Sequence, residues 1–163
     1  MSGNSFNSIK AQKEFFEQFQ REYGKAVERV EFAQLWADTK TFSDLNLIPY
    51  LGEQNLSGLV VFCRDSLYFY SFPNDAYMGI IKRDALGSGD NKSQCICLTD
   101  LKNLKTSVPQ KSWFSFLFPE DSRRINFSAD CSGTKVNFSL SFLKKADLIY
   151  QEINVLLKHE DAK

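Results

Sequence analysis

The stretch that most constrains the fold runs from Lys135 to Leu157. From Val136 to Phe142 every second residue is apolar (Val136, Phe138, Leu140, Phe142), with Lys135, Asn137, Ser139 and Ser141 between them. Successive side chains of a strand point to opposite faces, so this alternation predicts a half-buried strand. After Phe142 the period changes. Ala146, Ile149, Ile153 and Leu156 recur at helical spacing, the pattern of an amphipathic helix. A strand feeding one closing helix predicts a β framework with the helix packed over its open end. Each large apolar side chain buried there would contribute roughly 1.5–3 kcal/mol.

A chain of 163 residues is long enough for one domain with a real core, or one domain and an appendage. Apolar residues make up 43%, which places it among globular rather than disordered chains. Lys plus Arg equals Asp plus Glu, 20 each. A balanced chain lacks the strong positive field that nucleic-acid binding usually needs, so nucleic acid is not an expected partner. The 15 phenylalanines suit a pleated, half-buried surface or the lining of an apolar cavity, and composition leaves both open. No run approaches the roughly 18–20 apolar residues that span a bilayer. Met1 to Lys10 is polar and lacks the apolar centre of a secretory signal. The expected location is cytoplasmic, with Cys63, Cys95, Cys97 and Cys131 as reduced thiols. A secreted protein already relieved of its signal is the competing case.

Along the chain, Ser8 to Trp36 reads as helix. Phe16, Phe19, Tyr23, Val27 and Val30 form a stripe at three- and four-residue steps. Gly24 weakens its middle and marks a kink or a split into two helices. Asp38 to Ser57 reads as a connector with one helical turn near Phe42 to Leu47. Gly58 to Cys63 and Leu67 to Phe72 read as strands joined by Arg64-Asp65-Ser66 in a tight hairpin. Both are apolar on both faces, as in strands central to a sheet or covered on both sides. Further strands are expected at Tyr77 to Lys82, Gln94 to Leu98, Trp113 to Phe118, Arg124 to Ala129 and Lys135 to Phe142, with a turn and a weak strand within Asp100 to Val108. Asp84 to Ser93 carries Gly87, Gly89, Asp90 and Asn91 and reads as a loop. The expected class is α+β, mainly antiparallel β: about seven strands in a small barrel, capped by a C-terminal helix and preceded by a long N-terminal helix. The expected division is residues 1–55 as helical extension and connector, 56–158 as the barrel with its helix, and 159–163 as a frayed tail.

This order resembles the pleckstrin-homology-like (PH-like) superfold, in its GRAM or bacterial PH-like form. Gly58-Leu59-Val60-Val61-Phe62, running through Arg64-Asp65-Ser66 to Leu67-Tyr68-Phe69-Tyr70, is similar to that family's opening hairpin. Ile96-Cys97-Leu98-Thr99-Asp100-Leu101 is similar to its "I-x-L-x-D-I" step. The resemblance covers about residues 56 to 158. It implies a non-catalytic binding module for phosphoinositide headgroups or protein segments. Lipid-binding members carry a basic cluster at the first hairpin loop, where this chain offers only Arg64 beside Asp65.

Few residues suggest reaction chemistry. Cys95 and Cys97, two apart on a strand, point the same way. A structural zinc needs about four ligands, so Cys63 and Cys131 would both have to converge on them. The default is buried free thiols, with no metal and no cofactor. The single histidine, His159, lies among charged residues near the end. Hydrolase triads and HExxH sites need a positioned imidazole, so these are not expected; composition leaves a Lys- or carboxylate-based enzyme open, but no local constellation for one is visible, and the expected class is non-enzymatic. Gly87-Ser88-Gly89 is too short for a phosphate-binding loop and lacks its lysine. Lys82 and Arg83, with Lys92 across the glycine loop, are the best basic cluster for an anionic ligand. Arg123-Arg124 and Lys102/Lys105 read as ordinary surface charges. Phe114, Phe116 and Phe118 share a face and read as core, or as a ligand cavity.

Three expectations follow. The first is a non-catalytic PH-like interaction module that binds an unknown protein partner or associates with itself. Phe15 and Phe32 fall off the main stripe and would be exposed on its partner surface. The second is a peripheral membrane adaptor reading anionic lipid through Lys82, Arg83 and Lys92. The third is a small apolar-ligand carrier or enzyme, marked by a large enclosed cavity with convergent polar groups.

Overall fold

The spacing of apolar residues decides where each element begins and ends, with glycine and aspartate as punctuation. A computed structural model describes residues 9–49, 54–71, 94–109, 117 and 122–161. Helix α1 (Ile9–Tyr23) comes first. Gly24 ends it in the left-handed conformation (φ 69°), its N–H donating to the Gln20 carbonyl at 2.9 Å, as glycine does just past a helix. Then follow β1 (Val27–Trp36), α2 (Thr39–Asp44), β2 (Asn55–Cys63), β3 (Leu67–Ser71), β4 (Gln94–Cys97), a 3-10 turn (Leu98–Asp100), β5 (Lys102–Ser107), β6 (Arg124–Cys131), β7 (Thr134–Phe142) and α3 (Asp147–Asp161). Asp38 caps α2, its carboxylate accepting the Thr41 N–H at 2.7 Å. That bond holds the Asp38 carboxyl below its ordinary pKa.

The seven strands form one antiparallel sheet in the order β4-β3-β2-β1-β7-β6-β5, curled into a half-barrel. This architecture, completed by a C-terminal helix, is compatible with a PH-like fold. Strand β1 is the hinge of the design. It pairs with β2 from Val27 to Trp36, and over Ala33–Trp36 it also pairs with β7.

Residues 27–36 therefore correct the expected N-terminal helix, which stops at Tyr23. They are the middle strand of the sheet. The hairpin through Arg64-Asp65-Ser66 joins the second and third strands rather than the first two. The weak strand within 100–108 is β5. The expected strands Tyr77 to Lys82 and Trp113 to Phe118, the loop Asp84 to Ser93 with Gly87-Ser88-Gly89, and Phe114, Phe116 and Phe118 lie outside the described residues.

Two apolar layers flank the sheet. On the concave face Leu35, Val60, Phe62, Phe69, Ile125, Phe127, Val136, Phe138 and Leu140 pack with Phe42 and Leu45 near α2 and with Ala146, Ile149 and Ile153 at α3. Phe127 and Phe138 stack in parallel, centroids 5.1 Å apart. On the convex face Leu59, Val61, Cys63, Tyr68 and Tyr70 are covered by Phe15 and Phe19 of α1. The rings meet edge to face: Phe15 on Tyr70 at 5.1 Å and Phe19 on Tyr68 at 5.2 Å. This second layer is why β2 and β3 are apolar on both faces. It also corrects the placement of Phe15, which is buried, and of Phe32, which is half-buried against the same cluster.

Candidate functional site

Strand register builds the site, because pairing brings residues far apart in the chain into transverse rows. Ser141 of β7 pairs with Gln34 on one side and Arg124 on the other. Ser139 pairs with Trp36 and Asn126, and Asn126 pairs onward with Ser107. Asn137 pairs with Ser128, and Ser128 with Lys105. Lys135 pairs with Asp130, and Asp130 with Lys102. The alternate residues Ile125, Phe127, Val136, Phe138 and Leu140 fill the concave core. All four rows thus lie on the convex face.

The convex face changes character along β1. Val30 and Phe32 lie against the cluster beneath α1, whereas Gln34 and Trp36 belong to the polar rows. Two clefts meet at Trp36. One, of about 500 Å³, includes Phe32, Gln34, Ser57, Arg123, Arg124 and Leu143 in its lining. The other, of about 630 Å³, includes Lys105, Ser107, Asn126, Ser128, Lys135 and Asn137. Neither lining contains a carboxylate among the described residues. The acidic member of the rows, Asp130, is at the far end, where it accepts from Asn103 at 2.6 Å.

Trp36 is the chemical centre of this face. Its Nε1 is buried and has no hydrogen-bond partner among the described residues. An indole N–H can only donate, and leaving a buried donor unmet costs about 1–3 kcal/mol. The Arg124 guanidinium lies over the ring, 5.9 Å from its centroid. The arrangement offers a donor, a cation and an aromatic surface, flanked by serine and asparagine side chains that can donate or accept.

Lys82, Arg83 and Lys92, the basic cluster expected from sequence, lie outside the described residues. The cysteines separate. Cys63, Cys95 and Cys97 lie on the convex face beneath α1, whereas Cys131 packs against the concave core and its thiol donates to the Asp44 carbonyl at 3.1 Å. The sheet stands between the two sets, so the four thiols do not converge. Burial pushes the Cys63 thiol up to about 11 and Cys95 to about 12, and raises Cys97. Thiols held protonated are poor nucleophiles and poor metal ligands. His159 is exposed on α3 and lines a groove with Cys63. Burial sets the Cys63 thiol first, and the Ser66, Asp65, Lys25 and Cys97 groups act on it after that.

Sequence reasoning missed the Trp36 face. Trp36 reads as the end of a helix, and Arg124 and Lys105 as scattered charges. The available signal was the uninterrupted polar half of two neighbouring strands: Arg124, Asn126 and Ser128 on one, Asn137, Ser139 and Ser141 on the other.

No protein-family model matches this chain. A comparison with curated proteins likewise finds no similar sequence.

Proposed function

We propose that this chain is a non-catalytic interaction module of the PH-like type, and that it binds a segment of a partner protein on the convex face of β5, β6 and β7. The observation that carries the reading is the asymmetry of that face. One half is apolar and sealed by α1. The other half is polar, bears two clefts meeting at Trp36, and holds a buried indole donor without an acceptor among the described residues. The strand order and the C-terminal helix support the PH-like assignment, and the raised thiols speak against a thiol nucleophile. The packed phenylalanines of the concave face favour a solid core over a ligand-filled one.

The test is a displayed random-peptide selection on the purified chain, followed by amide and indole proton–nitrogen spectra of each bound peptide. The expected result is peptides that shift the Trp36 indole signal together with Asn126, Asn137 and Ser139. If the selected peptides leave these signals in place, the reading fails.

A further inference from the structure

The four rows have a spacing and a charge pattern that specify a ligand. Residues two apart on a strand are roughly 6.6–6.8 Å apart along it. Arg124 of β6 is in the first row and Lys105 of β5 in the third; Trp36 of β1 is in the row between, on the far side of β7, which its ring and the Arg124 guanidinium bridge. The two cations are therefore roughly 13 Å apart along the strand direction. An extended peptide has the same repeat, so its residues i, i+2 and i+4 fall on the three rows in turn.

Neither Arg124 nor Lys105 takes part in an ion pair among the described residues, in contrast to Lys25, Arg29, Lys40 and Lys144, which are paired. Arg123 lines the Arg124 cleft and Lys135 lines the Lys105 cleft. The rows between carry Ser139, Asn126, Ser128 and Asn137, groups that exchange hydrogen bonds with a main chain.

We propose that the partner segment is acidic and extended, with carboxylates four residues apart on Arg124 and Lys105 and an apolar or aromatic side chain between them at Trp36. This rests on the interaction reading above and names the chemistry of its partner. The first carboxylate pairs with the Arg124 guanidinium where it lies over the indole face, so binding changes the surroundings of the ring. A peptide fits this face better than a bilayer does. The cations lie on strands beside clefts, not on an amphipathic helix or beside a membrane span, where basic clusters for anionic lipid sit.

The probe is a fluorescein-labelled, end-blocked pentapeptide of sequence Glu-Ser-Phe-Ser-Glu, with Gln-Ser-Phe-Ser-Gln as its neutral counterpart. Anisotropy with the full chain gives the affinities, and indole spectra locate the bound peptide. The acidic peptide binds, shifts the Trp36 indole, and weakens as salt rises. Arg124→Gln and Lys105→Gln each weaken it about ten- to hundredfold, the loss of one charge-assisted hydrogen bond. Lys105 is exposed, so its variant tests the site even if Arg124→Gln perturbs the fold; circular dichroism checks both.

Equal binding of the neutral peptide overturns the acidic assignment and leaves the interaction reading intact. So does failure of both pentapeptides while library-selected peptides still shift Trp36. If no peptide of any composition shifts Trp36, both fall. Phosphatidylserine vesicles that bind through Arg124 and Lys105 when the acidic peptide does not would overturn the proposal in favour of a membrane.

Discussion

Gly58 shows how one atom can matter in this sheet. It pairs with Ala33 on β1. A Cβ placed there would come within 2.3 Å of the Tyr70 carbonyl oxygen and 3.0 Å of the Phe69 ring. The oxygen belongs to backbone and cannot rotate away. Gly58→Ala is expected to cost about 1–3 kcal/mol through overpacking, read as a lower urea midpoint. An unchanged midpoint would show that β3 can give way. Gly24 acts differently: its positive φ turns the chain out of α1 and into β1. In the sequence, Gly24 reads as a kink or a break between two helices, and a strand behind it is not visible from that residue alone.

At the scale of elements, α1 supplies the second apolar layer. Phe19 is 1% exposed and touches Phe15, Tyr23, Tyr68 and Tyr70. Phe19→Ala is expected to destabilise the chain by about 3–5 kcal/mol and to raise binding of an apolar dye as Leu59 and Val61 become accessible. A melting temperature equal to wild type would mean that α1 only rests on the sheet.

Strand β1 explains the main misreading of the sequence. The pairing with β2 shifts register between Val27 and Arg29. That irregularity leaves Val27 and Val30 on the same face although they are three apart. Three-residue spacing is also the signature of a helix, and here it continues the stripe of Phe16, Phe19 and Tyr23. From Val30 onward the convex face turns from apolar to polar while Ala33 and Leu35 remain in the core. A simple alternation is absent because two different surroundings are written on one strand.

For the whole molecule, the thiols beneath α1 give stability a pH dependence. Below about pH 8.5 they are protonated in the folded and unfolded chain alike. As pH rises from there toward about 11 for Cys63 and about 12 for Cys95, the unfolded chain has released protons that the folded chain keeps. The unfolded state gains, so stability falls, by at most about 1.4 kcal/mol per pH unit for each thiol. Tyr68, pushed up to about 12 by burial, acts in the same direction above pH 10. The melting temperature is expected to be lower at pH 10.5 than at pH 8, and a constant or rising value would contradict the burial of these groups. The β-then-helix order at the C-terminal end was legible, because alternation in β7 and the stripe in α3 each answer to a single buried face. The Trp36 face was legible only in part: the polar alternation of β6 and β7 is local, but the pairing that brings Gln34 and Trp36 to it joins residues 34 and 36 to residues 141 and 139.

That distance has a further consequence. Ala33 to Trp36 meet β7 only after residues 139–142 exist, so a growing chain can zip β1, β2 and β3 against α1 while the lower part of β1 stays bare on one side. Bringing such remote segments together is slow relative to closing a hairpin. The exposed, polar Gln34 makes that waiting edge less sticky than the sealed half of the same strand. The surface proposed to receive a partner is thus completed only once the β6–β7 hairpin docks on β1.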